Sequence, residues 1–320
     1  MCALQRQITG RRGKELGADW AVDKMKRSAT KDAANDTSVM LSSRGKQALS
    51  PILPYLTSYF ECLNNPCHPV TNPQGHIALC VAENKLAQKY LADRLSRPSV
   101  AKCAFETFDS YNYGDLRGLP HVCEAVARFL ERFFWKSQNS PNKSVNKEDS
   151  PSVSISPDHI CLAPGASSIL GHLFYSLAEA GDAILIPAPY YAAFENDMKA
   201  IAKCVPIPVY MNDCTQGPTK EELEMAARKA ETQGYTVKML LITNPNNPLG
   251  VIYKPSVVLN AIEWARARSM HTVMDEIYGL SVHDVSSEEC CRSIAGAPLY
   301  CFVGCLSLPK SPVFPRFPLS

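Results

Sequence analysis

Four short constellations in this sequence combine residue types that do chemistry with a place at the end of an apolar run. After HICLA (159–163) comes PGASS, small residues that let backbone approach a ligand, with a helical pattern starting at once. Ala166 and Ser167 can there offer N–H groups and a hydroxyl to a phosphate at the positive helix end; the plainer reading is that Ser167 caps the helix. After AILIP (183–187), Tyr190 and Tyr191 offer rings to a planar ligand, or simply pack. After KMLLIT (238–243), NPNNPLG projects amides from a strand end, or only punctuates the chain. Finally, DEIY (275–278) puts Asp275 at the end of HTVM, where a carboxylate is costly unless a cation or hydrogen bonds receive it. A salt bridge at a sheet rim would satisfy that demand without any ligand.

The elements that must hold these residues alternate. Strand-like runs at 159–163, 183–187, 205–209, 238–243 and 271–276 are separated by helical segments at 167–180, 192–202, 219–231 and 255–269. Upstream, His121 to Lys136 lines Val122, Val126, Phe129, Leu130 and Phe133 along one helical face, with Pro120 where a helix start accepts proline. Strands that are nearly all apolar, alternating with helices, predict an α/β fold with a mainly parallel sheet and helices on both faces. Such sheets bind ligands outside the carboxyl ends of their strands, where all four constellations fall.

Composition narrows the function. The balance of 33 basic against 31 acidic residues argues against nucleic-acid partners, and no apolar run reaches the length that spans a bilayer. The N-terminal stretch lacks the apolar core of a secretory signal, so the expected address is cytoplasmic. Thirteen cysteines, odd in number and scattered, read as reduced thiols. No metal site is expected, because no two cysteine pairs show ligand spacing.

In order and spacing, P-G-A-S-S, P-x-P-Y-Y, T-N-P-N-N-P-L-G and D-E-I-Y resemble the class I and II aminotransferase family of pyridoxal-phosphate enzymes. V-A-E-N-K-L-A (81–87) and Y-x-x-x-x-G-L-P (113–120) look like its 1-aminocyclopropane-1-carboxylate synthase branch, most like the animal synthase-like members. The resemblance runs from about Ser42 to Val282. It implies the large domain of a fold type I transferase, pyridoxal 5'-phosphate as cofactor, an amino-acid substrate and a homodimer. Residue by residue it implies that Ala166 and Ser167 grip the cofactor phosphate and Tyr191 stacks on the ring. Asn247 and Tyr278 would share the phenolic oxygen, and Asp275 would face the ring nitrogen. Tyr113 would reach the phosphate of the neighbouring subunit, and Glu83 would lie near the substrate.

The family's Schiff-base lysine sits in S-x-S-K-D-F/L-G-x-x-G-x-R, which this sequence does not contain. Lys310 stands at a suitable separation past Asp275, but Pro309 and Pro312 flank it and no Gly-x-Arg follows. The expected organisation is a disordered tail (1–40), an N-terminal arm with the start of the transferase fold (41–136), a disordered insertion (137–154), a partial cofactor-binding domain (155–284) and a divergent Pro/Cys-rich tail (285–320). The family's small C-terminal domain is expected to be missing. Two readings follow: a transaminase or lyase, with this chain catalytically incompetent, or a non-catalytic truncated form acting in binding or dimerisation.

Overall fold

The computed structural model describes residues 41–47, 55–80, 86–106, 111–132, 155–279, 281 and 303–306. The stretches 1–40 and 137–154, expected to be disordered, lie outside the described residues, as do Glu83 and Lys310. The chain divides after Asn65 into two units. The first contains α1 (Ser43–Gln47) and α2 (Tyr55–Asn64). The second begins with α3 (Gln88–Leu95), α4 (Pro98–Phe105) and α5 (Pro120–Leu130), whose Pro120 occupies the first turn as the sequence predicts.

From Ala166 onward, strand and helix alternate: α6 (Ala166–Leu177), β1 (Ala183–Ala188), α7 (Phe194–Asp197) running into a π-turn at Met198–Ala202, and β2 (Val205–Tyr210). There follow α8 (Lys220–Thr232), β3 (Val237–Thr243), α9 (Pro255–Ala267) and β4 (His271–Asp275). The sheet order is β2-β1-β3-β4-β5, with β1 to β4 parallel and β5 (Val303–Leu306) antiparallel to β4. The fold is therefore α/β with a mainly parallel sheet.

Period two along the strands explains the layers. Ile184, Ile186, Met239, Leu241 and Val273 turn to one face, where Leu170 and Phe174 of α6, Phe194 of α7 and Met198 of the π-turn cover them. Leu185, Leu240, Ile242 and Met274 turn to the other, under Leu223, Ala226 and Ala227 of α8 and Val258, Ala261 and Ala265 of α9. Both faces are covered, which is why the runs are apolar without alternation. β2 is the half-buried edge strand, the position that tolerates Pro206 and Pro208.

Two readings need correction. The run 159–163 forms no strand: a 3-10 turn occupies Pro157–His159, Leu162 donates its N–H to the Arg117 carbonyl, and Ile160 packs with Cys123, Ala127 and Leu130 of α5. Its apolar residues serve a satellite core instead of the sheet. Conversely, the tail from 285, where no element was legible, supplies β5.

Helix α8 carries a capping box. Thr219 Oγ1 accepts from Glu222 N at 3.2 Å, while Glu222 Oε2 accepts from Thr219 N at 2.9 Å and its Oε1 from Asn212 N at 2.6 Å. Thr219→Ala is expected to lower stability by about 1 kcal/mol in a urea titration. An unchanged midpoint would show that the cap contributes nothing.

Among the described residues no helix is long and apolar enough to cross a membrane, and no group of three His, Cys, Asp or Glu is placed to hold a metal.

Candidate functional site

The strand order reverses direction between β1 and β3: β2 lies to one side of β1, while β3 and β4 lie to the other. That is the point in an open α/β sheet where a crevice forms at the carboxyl ends. The residues leaving β1, β3 and β4 there are the sequence-predicted ones.

Asp275 closes β4 with 3% of its surface exposed. Its Oδ1 accepts from Ile277 N at 3.1 Å and its Oδ2 from Thr243 Oγ1 at 3.5 Å. Burial pushes the carboxyl up to about 6, against those two hydrogen bonds, and the carboxylate of Asp197 adds to the rise. Among the described residues no Lys, Arg or His forms an ion pair with it. The rim salt bridge that would have explained Asp275 structurally is thus not made by any described residue.

The turn after β3 sorts its asparagines by task. Asn244 and Asn246 are buried and face inward: Asn244 Oδ1 accepts from Tyr253 N at 2.9 Å, and Asn246 Oδ1 from Leu249 N at 3.1 Å. Asn244 N donates to the Asp275 carbonyl at 3.0 Å, locking the turn to the end of β4. Gly250, at φ 67°, lets the chain leave in the left-handed region. Asn247 alone projects, and its Nδ2 donates to the Tyr278 hydroxyl at 3.0 Å. That bond leaves the phenolic proton of Tyr278 and the second amide proton of Asn247 available to one further acceptor.

Helix α6 begins at Gly165, which has φ 85°, no side-chain cap and no atom within 4 Å of the position a Cβ would take. Its first-turn N–H groups receive no side-chain bond from the N-cap at the positive end of the helix. Ser167 does not cap the helix; its Oγ lies 3.3 Å from Asp197 Oδ2. Tyr191, after β1, is partly exposed and meets Phe194 edge to face at 5.4 Å, whereas Tyr190 bonds Glu195 away from the crevice.

Ala166, Ser167, Tyr191, Asn247, Asp275 and Tyr278 thus share the carboxyl edge of one sheet. Tyr113 stands apart, fully exposed between α4 and α5. Two residues escaped the sequence reading. In sequence Thr243 reads only as the end of the run KMLLIT. In sequence Asp197 reads as one more residue of the helical segment 192–202, although an acid three residues after Phe194 and next to Met198 falls on the apolar face.

This donor set fits pyridoxal phosphate. A buried carboxylate suits the cationic ring nitrogen, the Asn247–Tyr278 pair suits the ring oxygen, and the uncapped start of α6 beside Gly165 suits the phosphate.

Comparison with known proteins points the same way. Residues 76–297 match the family described as aminotransferase class I and II. The match reaches past Val282, where the motif resemblance stops. The 1-aminocyclopropane-1-carboxylate synthase-like protein 1 of Bos taurus is 34% identical over 223 residues, covering 68% of this chain and 41% of that one. The 1-aminocyclopropane-1-carboxylate synthase of Nicotiana tabacum is 30% identical over 254 residues, covering 77% and 48%. The chain spans about half the length of the relatives it matches. Among solved structures, an archaeal alanine:glyoxylate aminotransferase superposes with a TM-score of 0.57 at 18% identity, covering 78% of this chain and 55% of that one. A Thermus thermophilus aspartate aminotransferase single mutant gives 0.56 at 20% identity, covering 80% and 57%. These two show the shared fold.

Proposed function

Because the chain belongs to the aminotransferase class I and II family, whose members depend on pyridoxal phosphate, we propose that its crevice holds this cofactor and serves amino-acid chemistry at Cα, by transamination or by a lyase reaction. The observation that carries the proposal is Asp275, buried at 3% exposure without a cationic partner among the described residues. When bound, pyridoxal phosphate supplies an electron sink for negative charge developing at the substrate Cα. Asp275 holds a proton on the facing ring nitrogen, which is what makes the sink effective. Asn247 and Tyr278, already bonded to each other, would offer two donors to the ring oxygen. Tyr191 would lie against a ring face, and Ala166 and Ser167 would hold the phosphate. Glu83 is assigned to the substrate side.

We assign Tyr113 to a neighbouring subunit in a homodimer. Support comes from the exposure of Tyr113 itself and of the large apolar residues Tyr111 and Leu116 near it in sequence, which a second copy would cover. A cytoplasmic address and the domain limits 41–136, 155–284 and 285–320 belong to the same proposal.

A second reading, binding or dimerisation without turnover, is favoured by one feature. The only lysine after Tyr278 is Lys310, set between Pro309 and Pro312. We propose that these 320 residues by themselves bind cofactor and do not turn substrate over.

Equilibrium dialysis against pyridoxal phosphate tests the crevice. Asn247→Ala and Tyr278→Phe are each expected to weaken binding about five- to tenfold, the worth of one hydrogen bond. Because the two side chains share a bond and a target, the double variant should lose less than the product of the two. Fully multiplicative losses would refute the shared role.

A further inference from the structure

Ser167 has one proton to give. Its Oγ lies 3.3 Å from Oδ2 of Asp197, and donation to a carboxylate there withdraws the hydroxyl from any phosphate at the start of α6. A carboxylic acid at Asp197 reverses the bond, since it donates to Oγ and leaves the serine O–H free. Resting on the cofactor reading above, we propose that Asp197 takes up one proton when the phosphate of pyridoxal phosphate binds, donates it to Oγ of Ser167, and so turns the Ser167 hydroxyl onto the phosphate. The exchange balances: one proton arrives from solvent and forms the O–H of Asp197, and no other covalent bond changes. Asp197 is then a positioning residue that acts through Ser167.

The surroundings favour the uptake. Asp197 has 9% of its surface exposed and sits on the apolar face of α7 between Phe194 and Met198. Burial pushes its carboxyl up, and the bond from Ser167 only partly opposes this. Among the described residues the charged groups around it offer no cation. From β4, Asp275 brings a like charge. On its own turn, Glu195 and Lys199 pair with each other at 2.5 Å. On α6, His172 and Tyr175 are exposed, as is Tyr210 at the end of β2, while Lys238 and His271 sit at the opposite, amino ends of β3 and β4. A phosphate dianion adds a further negative charge beside two carboxylates, and protonation of the one hydrogen-bonded to Ser167 relieves it.

The sign follows. A carboxyl whose pKa is higher in the complex than in the free chain binds a proton on association, so affinity falls as pH rises above the free value. Asp197→Asn removes the dependence, because an amide donates to Oγ at every pH. Dissociation constants for pyridoxal phosphate and for pyridoxal, which lacks the phosphate, should be measured for the wild-type chain, Asp197→Asn and Ser167→Ala from pH 5.5 to 8.5. The wild-type constant, divided by that of Asp197→Asn, is expected to rise by up to about tenfold per pH unit for pyridoxal phosphate and to stay flat for pyridoxal. Calorimetry in two buffers of different ionisation heat should find about one more proton taken up by the wild type than by Ser167→Ala. A flat ratio for pyridoxal phosphate, or equal uptake in wild type and Ser167→Ala, overturns the inference and leaves the cofactor site standing. Failure of the wild type to bind pyridoxal phosphate at any pH overturns both.

Discussion

Replacing Asp275 by Asn is expected to stabilise the ligand-free chain above pH 6 and, in the same molecule, to cost it pyridoxal phosphate. The folded chain holds the Asp275 proton more tightly than the unfolded chain does, since burial lifts the carboxyl from 3.8 to about 6. Stability from this group is therefore full below about pH 3.8, falls as pH rises through 6, and above that stays lower by about 3 kcal/mol. Asn is neutral throughout and keeps the local bonds, its Oδ1 accepting from Ile277 N and its Nδ2 donating to Thr243 Oγ1. The ligand-free variant should then match the wild type near pH 4 and exceed it by about 2–3 kcal/mol at pH 7.5 in a denaturant titration. Cofactor binding should move the other way, because the charge that receives the ring nitrogen is gone. Breaking a buried pair by removing one partner costs about 3–5 kcal/mol, more than a hundredfold in the dissociation constant. Asp275→Ala should lose at least as much. Equal stability differences at pH 4 and 7.5 would remove the burial argument, and an unchanged dissociation constant would remove the functional one.

That opposition between stability and binding is also why Asp275 was legible. A carboxylate ending an apolar run breaks the pattern that the fold alone would favour, so it advertises a ligand. The runs that form β1, β3 and β4 were legible because burial on both faces leaves mostly apolar side chains to read, and the edge strand β2 still turns Val209 into the core. The run at 159–163 looks the same and is no strand, because composition does not reveal whether the neighbour is a strand or, as for Ile160, the face of α5. β5 escaped for the converse reason: four residues pair with β4 across a long stretch of chain, and no local period announces such a partner. Within NPNNPLG the three asparagines look alike in sequence, yet backbone demands turn Asn244 and Asn246 inward and leave only Asn247 for a ligand. Asp197 hid inside a helical period, where charged residues are ordinarily assigned to the solvated face.

Borohydride treatment of these 320 residues with pyridoxal phosphate is expected to leave no specific pyridoxyl group on Lys310. A lysine that carries the cofactor must present an unprotonated amine at a fixed distance from the aldehyde, which requires a desolvated or positively biased setting and a backbone that holds it there. Lys310 follows Pro309 and precedes Ser311-Pro312, a proline-flanked sequence unlike the family's S-x-S-K-D-F/L-G-x-x-G-x-R. No arginine motif follows it to bring a second charge to the phosphate. Without such a setting a lysine reacts with the aldehyde no faster than any other lysine of the chain. Bound cofactor should therefore leave on dialysis, peptide mass analysis should show only scattered adducts proportional to lysine exposure, and no amino acid should be turned over. A single dominant adduct on Lys310, with turnover of an amino acid that Lys310→Ala abolishes, would overturn the non-catalytic reading and make this chain an enzyme in its own right.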